Sequence, residues 1–286
     1  MSRPCRSVLY IPAARERAME KAQTLPADAI IFDLEDAVAP GEKPAARDLL
    51  ARVLRDMDFG SRLRIVRING FDTEWGRADA AAMAAALAGG ARFDALLVPK
   101  VNSPSDLEAV AELVPGVDLW AMMETAAGML NAGAIAGHPR LRGMVMGTND
   151  LAKELGARFR PDRLPMQAGL GLCLLAAKAH GRTIVDGVYN AFKDDEGLRA
   201  ECEQGRDMGF DGKTLIHPAQ LAVANTAFAP SEAEIDLARR QIAAFDEVLA
   251  TGGGVAVVDG RIVENLHVAT ARALLSRAAA IAALAE

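Results

Sequence analysis

Short apolar runs alternate along the chain with amphipathic or alanine-rich stretches, regularly enough to predict its elements. Eight such runs are rich in Val, Ile, Leu and Met and end on polar residues. They occupy residues 7–12 (SVLYIP), 29–36 (AIIFDLED), 62–69 (RLRIVRIN) and 95–100 (ALLVPK). The series continues at 118–124 (DLWAMME), 142–150 (RGMVMGTND), 183–190 (TIVDGVYN) and 212–218 (GKTLIHP). Apolar residues without alternation suit strands buried on both faces, as in a parallel sheet. Helical patterns lie between them, among them RERAMEKA from Arg15 and MQAGLGLCLLAAKAH from Met166. Another, PSDLEAVAELV from Pro104, has Ser105 or Asp106 as its expected cap.

Eight buried strands alternating with helices predict an α/β fold, a closed (β/α)8 TIM barrel. The rival is a doubly wound open sheet, which usually carries a glycine-rich turn after its first strand. PAARER, following Tyr10 and Ile11, is not such a turn. The pattern changes after Pro230. A helix over about 231–250 leads to Gly252-Gly253-Gly254, then to a strand pair in VAVVDGRIV turning at Asp259-Gly260, then to a last helix from Leu266. The expected division is a catalytic barrel over 1–230 and a helix–hairpin–helix lid or arm over 231–286.

Composition narrows the class. A net charge of -6 with no block of Lys and Arg leaves no electrostatic footprint for nucleic acid or a membrane surface. Aromatic residues are only 5% of the chain, so the core is expected to be aliphatic. Cys5, Cys173 and Cys202 have neither pairing logic nor C-x-x-C spacing and read as reduced thiols. The first residues lack the apolar run of a signal peptide, and no segment approaches a membrane span, so the cytoplasm is the expected location.

A TIM barrel gathers its chemistry at the carboxyl ends of its strands. The eight runs would deliver there Tyr10, Asp33, Glu35, Asp36, Arg67, Asn69, Lys100, Glu124, Asn149, Asp150, Asp186, Asn190 and His217. Adjacent strands lie about 4.8 Å apart, so carboxylates ending the fifth and sixth runs, Glu124 and Asp150, can reach one cation. Either alone reads as a cap or an ion pair. Together they read as a Mg²⁺ site, since two protein oxygens plus waters is the usual magnesium arrangement. The four histidines are dispersed, which disfavours zinc.

Arg67 lies inside an apolar strand, where a guanidinium needs an anion. That anion is either a substrate carboxylate captured bidentately or an internal partner, Asp33 or Asp36. His217 is an acid, a base, a ligand contact or a structural side chain. No Walker sequence, G-x-S-x-G or H-E-x-x-H is present, which disfavours nucleotide hydrolysis, a serine triad and zinc proteolysis.

The segments RSVLYIPA, FDLEDAVAP with EKPAAR, RIVRING, LLVPKV, METAAG, GTNDLAKELG and FDGKTLIHPAQ follow one another from about Cys5 to Phe228. In that order they resemble the citrate lyase β-subunit-like branch of the HpcH/HpaI aldolase superfamily. The resemblance implies a TIM barrel that assembles as homotrimers and a small acyl-CoA substrate. It also implies Mg²⁺ on Glu124 and Asp150, and Arg67 on the acyl carboxylate. Tyr10, Arg15, Lys21, Ile216 and His217 fall where the family contacts the CoA ester, and Asn149, with Glu124 and Asp150, is counted among the expected substrate-binding residues.

The string from TIVDGVYNAF to FDGKTLIHPAQ is most similar to the branch that hydrolyses malyl-CoA, the shorter relatives of malyl-CoA lyases. Many lyases of the family carry an acid/base aspartate in a G-x-M-I-D lid, supplied to a neighbouring subunit. Here GRIVEN puts Glu264 at that position, one methylene longer. The implied base is therefore Glu264 of an adjacent chain, or alternatively Asp36. Carbon–carbon cleavage of malyl-CoA or citramalyl-CoA is the alternative activity, and a non-enzymatic CoA-ester-binding subunit is a third reading.

Overall fold

A computed structural model describes residues 3–284. It divides into two compact units, one spanning Cys5–Phe228 and the other running from Ala229 onward together with the short stretch before Cys5.

The larger unit is a closed barrel of eight parallel strands in sequential order. They are β1 Ser7–Pro12, β2 Ala29–Asp33, β3 Leu63–Arg67, β4 Ala95–Val98, β5 Asp118–Met123, β6 Leu141–Met146, β7 Thr183–Asp186 and β8 Gly212–Leu215. Pairing of Val8 with Thr214 and Leu9 with Leu215 closes the ring. Helices α1 Glu16–Ala22, α2 Lys43–Asp56, α3 Gly76–Ala88 and α4 Pro104–Leu113 follow the first four strands. Then come α5 Ala126–Leu130, α6 Ala132–Ala136, α7 Thr148–Glu154, α8 Gln167–Ala179, α9 Asp195–Met208 and α10 Leu221–Ala227.

The missing alternation in the sequence has a simple cause. Successive strand residues face opposite sides, and both sides here are apolar. Val8, Ala29, Ile31, Ile65, Leu97, Trp120, Met122, Val145 and Val185 pack into one cluster, the barrel interior. Their neighbours Leu9, Ile30, Phe32, Val66, Leu96 and Ala121 belong to a second cluster shared with the helices. The core is mainly aliphatic, but it places Trp120 inside the barrel and an edge-to-face Phe32–Phe59 pair outside it.

Apart from β1, which matches its run, the strands are shorter than the apolar runs. The second run ends its strand at Asp33, the sixth at Met146 and the seventh at Asp186. The polar tails of the runs turn away into loops, and Asp150 falls in the first turn of α7 rather than on a strand. The cap of α4 is Ser103, one residue before Pro104, because proline favours the first helical position. Asp106 accepts from the Ser103 N–H at 2.9 Å, completing the reciprocal pair. Cys5, Cys173 and Cys202 are buried, and burial pushes the thiols of Cys173 and Cys202 up to about 12.

The second unit contains α11 Glu232–Ala250, the antiparallel pair β9 Ala256–Val258 and β10 Arg261–Val263, and α12 Asn265–Ala282. Ser231 and Glu234 cap α11 reciprocally. The hairpin turns at Asp259 (φ 50°) and Gly260 (φ 74°), both left-handed as a two-residue type I′ turn requires. Phe245, Ala256, Val263 and Val268 form its small core. Among the described residues no helix is long and apolar enough to cross a membrane.

Candidate active site

The site follows from the parity of the strands. Two residues beyond inward-facing Val8, Ile31, Ile65 and Met122 come Tyr10, Asp33, Arg67 and Glu124, the next layer on the same face. These four line a cavity of about 330 Å³ at the carboxyl end of the barrel. Asp36, Asn149, Asp150 and Ile216 join them from the loops and from α7.

Asp33 grips Arg67 side-on: Nε donates to Oδ1 at 2.8 Å and Nη2 to Oδ2 at 2.6 Å. The same carboxylate accepts the backbone N–H groups of Glu35 (2.9 Å) and Ala37 (3.1 Å), so it shapes the loop it begins. Of the two internal partners expected for Arg67, Asp33 is the principal one; Asp36 Oδ2 lies 3.4 Å from Nη1. A guanidinium carries five N–H bonds. The side-on grip occupies Nε and Nη2, while Nη1, on the end-on edge that faces the cavity, meets Glu35 Oε2 at 2.9 Å and Asp36 Oδ2 at 3.4 Å. The guanidinium also lies 4.9 Å from the centroid of the Tyr10 ring, and burial lifts the Tyr10 hydroxyl's pKa.

Glu124 is buried, 4% exposed, and Asp150 half exposed. Lys100 connects them. Its N–H donates to Glu124 Oε1 at 2.8 Å, and its Nζ stands 3.0 Å from Glu35 Oε1 and 3.9 Å from Asp150 Oδ2. Burial, and then the like charge of Glu35, raises the Glu124 carboxyl from the usual 4.5 to about 7.

Asp33, Glu35, Asp36, Glu124 and Asp150 outnumber the cations Arg67, Lys100 and the neighbouring Lys43 in this cluster. Glu35 Oε2 is buried without a hydrogen bond, although Arg67 Nη1 pairs with it at 2.9 Å out of hydrogen-bond alignment. Surplus negative charge, hard oxygen donors and an unsatisfied buried carboxylate oxygen fit a hard divalent cation. Among the described residues no three His, Cys, Asp or Glu side chains converge as a ready-made metal cage. A pair of carboxylates completed by water or ligand oxygens is what the residues can supply.

Other expected residues stand apart. Asp186 is the outward neighbour of inward Val185, so it points away from the cavity. It accepts from Arg163 Nη1 at 2.7 and 2.6 Å and from Lys213 Nζ at 3.1 Å. Asn69 is buried and structural: its Nδ2 donates to Leu34 O (2.9 Å) and Asp79 Oδ2 (2.6 Å). Asn149 and Asn190 exchange side-chain hydrogen bonds at 3.3 and 2.8 Å.

His217 is exposed, stacked on Phe192 at 4.7 Å, and its Nδ1 accepts from Ala219 N–H at 3.1 Å, so its role in the fold is to cap a turn. Arg15 is the N-cap of α1 and Lys21 sits in its last turn; both are exposed. Glu264 is exposed at the N-cap of α12 in the second unit, its N–H donating to His267 Nδ1 at 3.0 Å.

Residue-type reasoning missed Lys43, Gly147 and Arg163. Lys43 is buried in EKPAAR and donates to Leu34 O (3.0 Å), Glu35 O (2.7 Å) and Asn69 Oδ1 (2.7 Å), tying down the acidic loop. Its signal was a lysine close behind a dense acidic strand end.

Comparison with known proteins identifies the family. Residues 6–218 match the HpcH/HpaI aldolase/citrate lyase family. A protein of Cereibacter sphaeroides named (3S)-malyl-CoA thioesterase is 73% identical over 280 residues, 98% of this chain and 96% of that protein. An L-malyl-CoA/beta-methylmalyl-CoA lyase of the same species is 32% identical over 99% of this chain and 97% of the relative. Among solved structures, protein CitE from Mycobacterium tuberculosis, in complex with magnesium, acetoacetate and coenzyme A, superposes with a TM-score of 0.81. It is 32% identical, and the match covers 97% of this chain and 98% of that one. A family match across most of the barrel, and relatives aligned over nearly its full length, lead to one conclusion: the chain belongs to the HpcH/HpaI aldolase/citrate lyase family.

Proposed function

We propose that this chain is a magnesium-dependent thioesterase that hydrolyses a malyl-CoA-type ester, (3S)-malyl-CoA, to malate and free CoA. The observation that carries this reading is the 73% identity, over 98% of the chain, to proteins named for that activity. A cavity that combines carboxylates with the Arg67 guanidinium supports it.

In this reading Glu124 and Asp150 hold Mg²⁺ beside Asn149, and the end-on edge of Arg67 takes the acyl carboxylate. Magnesium, when bound, supplies Lewis-acid polarisation of the substrate's oxygen functions. Asp36, or Glu264 of a second copy, takes a proton from water as the water oxygen bonds to the thioester carbonyl carbon. The carbon–sulfur bond then breaks, and the proton passes to the departing CoA sulfur. Tyr10 and Ile216 line the cavity on the CoA side, where exposed Arg15 and Lys21 meet phosphate and His217 stands at the rim. The same reading makes the protein cytoplasmic and a homotrimer or a multiple of one, which light scattering on the eluting protein would check.

The test is incubation of the purified protein with (3S)-malyl-CoA and Mg²⁺, with the acid products resolved by mass. Malate and CoA, formed only with metal present, are the expected outcome. Glyoxylate and acetyl-CoA instead would establish the second reading, carbon–carbon lysis, which the 32% identity to a malyl-CoA lyase over 99% of the chain favours. Unchanged substrate with and without metal would leave only a CoA-ester-binding subunit.

A further inference from the structure

Lys100 makes an unusual set of contacts. Its backbone is left-handed, φ 50°, a conformation that suits glycine or asparagine and strains a lysine. The strain aims its N–H at Glu124 Oε1, 2.8 Å away. Glycine would achieve that more comfortably, so the presence of lysine points to a use for its ammonium. That ammonium lies 3.0 Å from Glu35 Oε1 and 3.9 Å from Asp150 Oδ2. One residue therefore touches three carboxylates, two of which are the proposed metal ligands.

Glu35 is the third. It is buried, and its two oxygens are tied by Lys100 Nζ at 3.0 Å and Arg67 Nη1 at 2.9 Å. Oε2 nonetheless lacks an aligned donor. A buried carboxylate in such a cluster would gain by coordinating an arriving cation. Magnesium is octahedral, and each protein oxygen added removes a position for water or substrate.

We infer that Lys100 is a positioning residue that holds Glu35 off the metal, so that Glu124 and Asp150 remain its only protein carboxylates and exchangeable positions stay open. This rests on the reading of Glu124 and Asp150 as metal ligands. Without the ammonium, Glu35 Oε1 is released and swings onto the cation.

The experiment titrates metal-free protein with Mn²⁺, measuring free ion by electron paramagnetic resonance and bound-water exchange by proton relaxation. Lys100→Met, equally strained in its backbone, should bind Mn²⁺ about three- to tenfold more tightly. Its bound ion should relax water less, and turnover with Mg²⁺ should fall. Lys100→Arg keeps the charge and should restore wild-type affinity and relaxation.

In a Glu35→Gln background the Lys100→Met change should have no further effect on affinity, because Lys100 acts through Glu35. Tightening that persists there would come from lost charge alone and would overturn the inference. Equal or weaker Mn²⁺ binding by Lys100→Met would overturn it too, while leaving the metal site standing if the wild type binds normally. A wild type that takes up no Mn²⁺ would end both readings.

Discussion

Glu124 presses so closely on the backbone of Gly147 that a Cβ built there would stand 2.4 Å from both Cβ and Oε2 of the glutamate. Real side chains do not approach so near. Gly147 lies just after β6, and its N–H donates to Met123 O at 2.9 Å, so its backbone cannot retreat without releasing β5. In Gly147→Ala the carboxylate must therefore move. Overpacking of this kind costs about 1–3 kcal/mol of stability. The larger effect should be on the cation: Mn²⁺ affinity should fall about tenfold or more, by the loss of one well-placed carboxylate. Calorimetric titration would show it, and an alanine variant with unchanged Mn²⁺ affinity would mean that Glu124 is not a ligand.

The raised Glu124 carboxyl gives the metal-free protein a definite pH behaviour. Its folded value is about 7 against 4.5 in the ordinary state, so the folded protein holds a proton that the unfolded chain releases. The associated stability is present below 4.5 and is lost as pH rises through about 7. Metal-free wild type should thus lose melting temperature across that window relative to Glu124→Gln, which has no proton to lose. Bound cation replaces the proton, so added Mg²⁺ should restore wild type most strongly at the alkaline end and leave the Gln variant unmoved. Parallel melting curves for the two proteins at every pH would contradict this.

The barrel was legible in the sequence because most strands are buried on both faces and appear as largely apolar runs between helices, although β8, Gly-Lys-Thr-Leu, carries a buried lysine. Arg67, Glu124 and Asp33 were legible for the same reason: a charged residue ending a fully apolar run must meet a partner. What the runs could not reveal was where each strand stops and which way its last residue points. Asp186 looks like Asp33 in the sequence, yet it is one register step away from the inward position and faces the helices. Asp150 reaches the cavity from the first turn of α7. Gly147 carries no chemistry of its own, and only the proximity of Glu124 gives it meaning. Lys43 and Arg163 act on groups 8–26 and 23–41 residues away, a relation that no local pattern encodes.

Arg67 is gripped by Asp33 on one edge and lines the cavity with the other, where Nη1 meets Glu35 and Asp36, and this predicts unequal effects of two conservative changes. Lysine supplies a single point charge and cannot serve Asp33 and a substrate carboxylate in two planar pairs. Arg67→Lys should keep the fold but raise KM for malyl-CoA about 10- to 100-fold, the worth of one charge-assisted bidentate contact. Asp33→Asn leaves the guanidinium intact but loosens it and weakens the loop N–H contacts of Glu35 and Ala37. It should lower stability by about 1–3 kcal/mol and raise KM less than Arg67→Lys does. Steady-state kinetics and denaturant melts separate the two, and the reverse order of KM effects would show that Arg67 faces no substrate.

The Asp186 cluster predicts a loss of stability without a loss of chemistry. Burial alone would raise the Asp186 carboxyl, but the charges of Lys213 and Arg163 outweigh it and hold it low. Lys213 is itself fully buried, with Nζ 3.1 Å from Asp186 and 2.6 Å from Glu201. Removing its charge in Lys213→Met leaves two carboxylates with only Arg163 between them, which should cost about 3–5 kcal/mol. A depressed carboxyl stabilises above its ordinary pKa and loses that contribution as pH falls, so Asp186→Asn should flatten the acid limb of the melting profile. Because Asp186 and Lys213 face outward from the barrel interior, the folded Lys213→Met protein should bind Mn²⁺ as the wild type does. The double variant Lys213→Met with Asp186→Asn should recover part of the lost stability, since the stranded charge is gone. Additive losses in that cycle would mean that the two residues do not act as a pair, despite their distance.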